Sequence, residues 1–278
     1  MARFLSRRRF LKGFGVGTAV VSLPAAALSG AFGADTGVPA PGKIMTYFEA
    51  FGVDTDLIGK LLAKGLARGG DFAEVYVQHK VSHWVTMEDG EVNSAYSTID
   101  LGAGLRVLKG DATGFAYCEE LTEKALLKTM ETAAAIADAK PLGRPTPLAP
   151  VALTSRFPVD VPWTEVGIQK KLPIIVRADK TARARDRRIV KVSVSLADEA
   201  NHILIANSEG LLVEDHLPNV VLSASCVGFD RGKTETGYQS AGARHGLVFL
   251  TNEVIDRVAT TGGTNHEARL GDSPGHGQ

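Results

Sequence analysis

Cysteine, aromatic side chains and net charge are all scarce in this sequence, and each shortage argues against a class of protein. The two cysteines, Cys118 and Cys226, stand far apart and in no metal-ligand spacing. We expect each to be a small buried hydrophobe, with no bridge between them. Lys and Arg number 31, as do Asp and Glu. This balance gives no reason to expect nucleic acid or an anionic membrane surface as a partner.

Long apolar runs are also scarce, apart from an interrupted one near the N-terminus. A basic start, SRRRFLK at 6–12, precedes a moderately apolar stretch and then small residues, which is the pattern of an export signal. Glycines and Pro24 interrupt the apolar stretch and make it a poor membrane span. The motif resembles the twin-arginine (Tat) signal of exported bacterial proteins, carried here by Arg7, Arg8, Phe10, Leu11 and Lys12. We therefore predict a periplasmic or otherwise exported protein that contacts the membrane only in transit.

The first half of the remaining chain predicts helices and hairpins. Asp54 or Asp56 is expected to cap a helix that ends at Gly69-Gly70. Alternating segments follow, with turns at 88–91 and 109–111. A second helix at 121–139 is expected to be capped by Thr122. The proline-rich PLGRPTPLAP after it marks a domain boundary.

The second half repeats this mixture. A helix at about 164–187 is expected to break or kink at Pro173, and RIVKVSVSL then predicts a strand with Val190 on its apolar face. A hairpin is expected with its turn at 207–210. The glycine-rich stretch 232–246 predicts a polar loop, and HGLVFL predicts a short strand before a last helix. Helices and hairpins in succession indicate an α+β fold, with antiparallel hairpins or meanders in two consecutive domains.

No motif identifies a catalytic, cofactor-binding or metal-ligating residue. The glycines of GAGLRVLKG lack phosphate-loop spacing and are expected to serve turns and close strand approach. His79 and His83 share a strand face, at a strand edge or rim rather than on a metal; Trp84 and Tyr76 are expected to pack on the opposite face. The basic KTARARDRR at 180–188 indicates a solvated helix face, with an interaction patch as the alternative.

Two long segments resemble the TldD/PmbA family of bacterial metallopeptidases, and the TldD branch more than the PmbA branch. In the first half the resemblance lies in GGDFAEVY, in G-x-G-x-R-V at 102–107 and in GDATGFAY at 110–117. In the second half it lies in the segment from RRIVKVSVSL through the NSEG hairpin to GYQSAG. The resemblance implies peptide hydrolysis as the family activity and a divalent metal, zinc or iron, held by a further C-terminal domain through an H-E-x-x-x-H helix.

The resemblance gives the chain its expected organisation. We predict a twin-arginine signal peptide at 1–34, a linker at 35–53, a family N-terminal α+β domain at 54–140, a proline-rich linker at 141–163, a family middle α+β domain at 164–260 and a polar, disordered tail at 261–278. It also implies a homodimer or a partner subunit of the TldD/PmbA type, with unfolded peptides as ligands.

The tail carries His266, Glu267 and His276, but not in the family's metal-binding pattern. Gly271 stands where the second histidine of an H-E-x-x-x-H motif would fall. No family catalytic or metal residue is therefore transferred to this chain, and no cofactor is expected within it. We expect it to lack the metal-binding domain and to be inactive alone.

Three hypotheses remain open at this point. The chain is the N-terminal portion of an exported TldD-like metallopeptidase, or a non-catalytic peptide-binding or assembly module of such a complex. In the third, the tail histidines and Glu267 bind a metal loosely. Peptides are expected to add as a strand along a sheet edge, with Tyr238 and Arg244 of the stretch 232–246 lining the groove.

Overall fold

The computed structural model describes residues 47–137, 143–154, 156–157 and 159–270, and only the backbone of 264–270. The predicted signal peptide, including Arg7, Arg8, Phe10, Leu11 and Lys12, lies outside the described residues. So does most of the predicted linker at 35–53.

One sheet runs through the whole described chain. Its strands are β1 (Phe72–Glu88), β2 (Glu91–Lys109), β3 (Ala112–Cys118), β4 (Ala149–Val151), β5 (Ile189–Asn207), β6 (Leu211–Asp230) and β7 (Lys233–Ala243). The order is β3-β2-β1-β5-β6-β4, with β7 also pairing with β6. Every pair is antiparallel except β4–β6. The predicted α+β class with antiparallel hairpins is confirmed.

Four helices accompany this sheet among the described residues: α1 (Thr55–Leu66), α2 (Glu123–Ala134), α3 (Ile168–Arg185) and α4 (Asn252–Leu270). Short 3-10 turns lie at Tyr47–Phe51, Trp163–Glu165 and Leu247–Phe249. None of the described helices has the length and hydropathy that a bilayer-spanning helix requires.

The local signals that end and begin elements act as the sequence predicts. The Asp54 carboxylate accepts the Leu57 N–H at 2.8 Å and caps α1. The Thr122 hydroxyl accepts the Ala125 N–H and caps α2. The β1–β2 turn places Asp89 and Gly90 at φ of 50° and 82°, the left-handed pair that a tight two-residue hairpin requires.

The two halves of the chain are joined by strand pairing. β1 pairs with β5 from Glu74–Asn207 to Glu88–Ser193, so the sheet crosses the predicted domain boundary without a break. Two hydrophobic cores share the helix-covered face of this sheet. One lies under α1 and α2, around Leu61, and the other lies under α3 and α4, around Leu222. Because β1, β5 and β6 are long, each contributes side chains to both cores.

Three features of the second half differ from the prediction. The chain forms a 3-10 turn at 163–165, and α3 begins only at Ile168. Pro173 lies inside α3 instead of starting a new helix, so the helix continues without the one backbone hydrogen bond that the Pro173 nitrogen cannot donate. Val190 is 57% exposed rather than on the apolar face, since a bulge between Ile189 and Lys191 takes it out of register.

The stretch predicted as a polar loop at 232–246 is mostly strand β7. Gly237 is buried, and α4 packs against this strand, so its small residues permit close helix approach instead of irregular backbone. The predicted strand HGLVFL is also wrong, since Leu247–Phe249 forms a 3-10 turn.

The last helix extends further than its sequence indicates. α4 continues through Gly262 and Gly263 to Leu270, so the backbone of 261–270 is helical and not irregular as predicted. A Cβ on Gly262 would lie 3.1 Å from the Ala224 carbonyl oxygen, and one on Gly263 would lie 3.0 Å from Cγ of Arg185. These glycines therefore serve close packing, while 271–278, with His276, lie outside the described residues.

Candidate functional site

A band of polar side chains separates the two cores on the helix-covered face. We call this band the polar seam; it comprises Tyr47, His79, His83, Lys171, Asp198, His202, Glu214 and His216. Apolar residues flank it along each strand, for example Val77 and Val85 on β1. Polar side chains on an otherwise apolar face are uncommon and indicate either a hydrogen-bonded network or a site.

The first part of the seam is a row of aromatic rings. His79, His202 and His216 are register partners on β1, β5 and β6, so strand pairing alone aligns them. The rings of His202 and His216 stack with centroids 4.3 Å apart. Tyr47 stacks on His202 with centroids 3.7 Å apart and an interplanar angle of 5°.

Hydrogen bonds hold Tyr47 in this row. Its hydroxyl lies 2.7 Å from Nδ1 of His79, and its N–H donates to Oε2 of Glu214 at 3.0 Å. Burial raises the pKa of Tyr47 to about 12, so the phenol stays protonated at neutral pH.

Burial also keeps the histidines of the row uncharged. Desolvation, with smaller contributions from His216 and His79, lowers the pKa of His202 to about 3. Desolvation likewise lowers the pKa values of His79 and His216. At neutral pH the row is therefore a neutral aromatic stack.

Glu214 gives the row its acidic end. Burial raises the pKa of its carboxyl, while backbone N–H bonds from Tyr47 and Phe48 oppose that shift. Within the described chain, its buried Oε1 and the buried Nε2 of His216 have no hydrogen-bonding partner. Such atoms are costly unless water or a ligand satisfies them.

The second part of the seam is a buried charge cluster. Asp198 Oδ2 lies 2.6 Å from Nζ of Lys171, and its Oδ1 lies 2.7 Å from Nδ1 of His83. Asp198 and Lys171 are 3% and 2% exposed, and Nζ also lies 5.8 Å from the centroid of the Trp163 ring. Because both charged groups are desolvated, loss of either one would leave the other buried without a counter-charge. The pair therefore links α3 to the sheet.

The described side chains do not fit a metal. None of the described residues forms a group of three or more His, Cys, Asp or Glu side chains arranged to hold one. In the ring row His202 and His216 stack face to face, so their nitrogens do not converge on a common point. The side chains of His266 and Glu267 lie outside the description, although their backbone belongs to α4.

The structure revises the predicted position of the strand histidines. β1 lies between β2 and β5, so His79 and His83 are not at a sheet edge. They contact different groups, Tyr47 and Asp198 respectively. Trp84 stacks on Tyr96 with centroids 5.1 Å apart, which confirms its packing role.

Other sequence features have structural roles. A Cβ on Gly102 would lie 2.7 Å from the Cys118 carbonyl oxygen, which confirms close strand approach at GAGLRVLKG. The basic segment 180–188 is not simply a solvated face, since Arg183 bonds Asp89 and Asp179. Neither Cys118 nor Cys226 forms a disulfide, and only Cys226 is fully buried.

Two edges of the sheet remain without a pairing strand among the described residues. No described strand pairs with the outer edge of β7, or with β2 from Glu91 to Gly102. Tyr238 on β7 is 58% exposed and Tyr96 on β2 is 54% exposed. The Arg244 guanidinium, just after β7, lies 5.3 Å from the centroid of the Phe157 ring.

Comparison with known proteins identifies two domains of one protein family in this chain. Residues 73–137 match the PmbA/TldA metallopeptidase domain 1, and residues 161–265 match the PmbA/TldA metallopeptidase central domain. The chain belongs to the PmbA/TldD family. The matched ranges include part of both hydrophobic cores and the residues of the polar seam that lie on β1, β5 and β6.

Curated relatives of this family member include a metalloprotease TldD homolog of Haemophilus influenzae. It is 34% identical over 191 residues, covering 68% of this chain and 39% of the relative. A metalloprotease of Methanothermobacter thermautotrophicus is 27% identical over 226 residues, covering 80% of this chain and 48% of the relative. The chain thus spans less than half the length of either protein.

Solved structures show the same fold at low sequence identity. A putative modulator of DNA gyrase from Bacteroides thetaiotaomicron has a TM-score of 0.60 at 16% identity, covering 77% of this chain and 50% of that one. TldE from Thermococcus kodakarensis has a TM-score of 0.55 at 16% identity, covering 73% and 46%.

Proposed function

We propose that this protein is the peptide-positioning portion of an exported TldD-like metallopeptidase. Membership of the PmbA/TldD family supports a role in peptide hydrolysis. Hydrolysis would need a divalent metal to polarise the scissile carbonyl and activate water, and the described side chains do not fit one. We therefore assign the metal to a domain outside residues 47–270, in the same assembly.

The observation that carries the peptide-binding role is the outer edge of β7, with which no strand of the described chain pairs. An extended peptide can hydrogen-bond to such an edge through its main chain, independently of its sequence. Tyr238 and Arg244 place an aromatic and a cationic side chain along this edge and just beyond it. This combination suits unfolded peptides of varied sequence.

Fluorescence polarisation with a labelled unfolded peptide tests this role. The full chain, assembled with its partner subunit where one is required, should bind the peptide. Tyr238→Ala with Arg244→Ala should weaken binding by roughly three- to tenfold, or about 0.7–1.4 kcal/mol. The matched control is Tyr96→Ala, which removes a similarly exposed tyrosine from the other open edge.

The peptide itself supplies a second control. A peptide N-methylated at alternate residues cannot donate main-chain hydrogen bonds along one edge and should bind much more weakly. Equal binding of methylated and unmethylated peptides, together with an unaffected double variant, would contradict strand addition on β7.

We further propose that residues 1–34 direct export through the Tat pathway and that the mature protein assembles with a second copy or a TldD/PmbA-type partner. Replacing Arg7 and Arg8 by Lys should retain the protein in the cytoplasm, as followed by cell fractionation. Export of that variant at the normal level would refute the signal assignment. Sedimentation of the mature chain, alone and with the partner, tests assembly.

A further inference from the structure

The ring row of the polar seam ends at a gap in the edge of the sheet. β4 pairs with β6 only at 211–213, and β7 begins to pair with it at Val220. Among the described residues, no strand lies beside the outer edge of β6 at 214–219. A cleft of about 190 Å³ opens there, and its lining includes Tyr47, Leu153, His202, Glu214 and His216.

The end of the row presents a flat aromatic platform to this cleft. His216 is the outermost ring, since β6 is the last of the three strands that carry the histidines. Its stack with His202 fixes the plane of the ring, and burial keeps the imidazole neutral by lowering its pKa. A neutral, oriented ring accepts a planar cation on its face.

Glu214 supplies a charge beside the platform. Its Oε2 is held by the Tyr47 N–H at 3.0 Å, which fixes the carboxylate. Its Oε1 is buried and has no partner within the described chain, and Nε2 of His216 is in the same condition. The unpartnered carboxylate oxygen of Glu214 calls for a ligand that donates a hydrogen bond to it.

We propose that this cleft binds the guanidinium group of an arginine side chain. A guanidinium is planar, stacks on aromatic rings and donates through a rigid fork to a carboxylate. A lysine ammonium lacks the plane, and an anion would be repelled by Glu214. The site is separate from the β7 edge and does not depend on peptide binding there.

Isothermal titration of the full chain with N-acetylarginine methylamide tests the site. Binding should weaken at least tenfold in Glu214→Gln, which keeps the shape of the side chain but removes its charge. N-acetyllysine methylamide should bind at least tenfold more weakly than the arginine compound. The control Glu91→Gln removes a carboxylate from the exposed start of β2 and should leave binding unchanged.

Histidine ring signals in NMR spectra locate the ligand. The arginine compound should shift the signals of His202 and His216 and leave those of His83 in place. Free L-arginine in a parallel titration identifies the source: equal affinity indicates the free amino acid, and weaker binding indicates an arginine residue within a peptide.

Several results would overturn the proposal. They are equal binding of the arginine and lysine compounds, unchanged binding in Glu214→Gln, or no shift of the two ring signals. If Glu214→Gln fails to fold, as judged by its thermal transition, His216→Leu decides the matter. That variant keeps the carboxylate but removes the platform, and undiminished binding to it would refute the site.

Discussion

The buried ion pair between Lys171 and Asp198 gives the sharpest test of how the polar seam stabilises the fold. Lys171→Met keeps most of the side-chain volume but leaves Asp198, which is 3% exposed, without its cation. Removal of one partner from a buried pair costs about 3–5 kcal/mol. At about 2–4 °C per kcal/mol, the melting temperature should fall by roughly 6–20 °C.

The control uses the same substitution at the surface. Lys60 pairs with Glu123 at 2.7 Å, close to the 2.6 Å of the buried pair, but its side chain is 57% exposed. Lys60→Met should leave the melting temperature almost unchanged, because water and salt screen exposed pairs.

A double variant separates the loss of a partner from general damage to the core. Lys171→Met with Asp198→Leu removes the stranded charge and should be more stable than Lys171→Met alone, since an apolar pair can replace a buried ion pair. Differential scanning calorimetry at neutral pH measures all three variants. A Lys171→Met effect no larger than that of Lys60→Met, or a double variant less stable than the single one, would refute the reasoning.

Three further results follow from other parts of the structure. Because the pKa of His202 is about 3 in the fold and 6.5 unfolded, the unfolded chain binds the extra proton. Stability should therefore fall as pH drops from about 6.5 towards 3, with a slope of at most about 1.4 kcal/mol per pH unit; urea titrations of His202→Phe should show a shallower slope. Gly114→Ala should cost about 1–3 kcal/mol because its Cβ would meet the Ala133 carbonyl oxygen, whereas Gly59→Ala, with open space around it, should stabilise α1 by about 0.5–1 kcal/mol. Cys226, whose pKa burial raises to about 11, should react with a thiol reagent only after unfolding, well after Cys118.

Each of these three predictions would be contradicted by a specific result. An unchanged pH slope in His202→Phe would show that other groups govern acid stability, such as His79 and His216, whose pKa values burial also lowers. Equal stability of the two alanine variants would contradict the packing at Gly114. Equal labelling rates of the two thiols would contradict the burial of Cys226.

Local structure followed from the sequence where short-range chemistry decides it. Asp54 and Thr122 were identified as caps because their side chains satisfy nearby backbone N–H groups. The turn at Asp89-Gly90 was identified because few residues adopt a left-handed conformation. These signals depend on a few consecutive residues and no distant contact.

The sequence was misleading where glycines serve close packing between elements instead of ending a helix or forming a loop. Gly262-Gly263 indicates a helix end, yet these residues lie inside α4 because Ala224 and Arg185 approach closely. The many glycines of 232–246 likewise indicate a loop. They form strand β7 instead, because its small residues let α4 pack closely against it. Only the position of a neighbouring element distinguishes these uses of glycine.

The polar seam was largely missed because strand register creates it. Asp198 and His202 interrupt the apolar alternation of β5, and this interruption was the available signal. The meeting of His202 with His79 and His216 depends on how three strands align. A β-sheet shift by one residue would send these side chains to the opposite face, so periodicity alone could not place them together.

The central claim is that the described chain positions peptides while the metal chemistry of the family lies in a further domain. One experiment tests it directly: zinc and iron content of the purified mature chain, measured alongside binding and hydrolysis of an unfolded peptide. We predict peptide binding without stoichiometric metal and without hydrolysis until the metal-bearing domain is supplied. Stoichiometric metal with hydrolysis that is lost in His266→Ala would contradict the claim and place the site in the C-terminal segment.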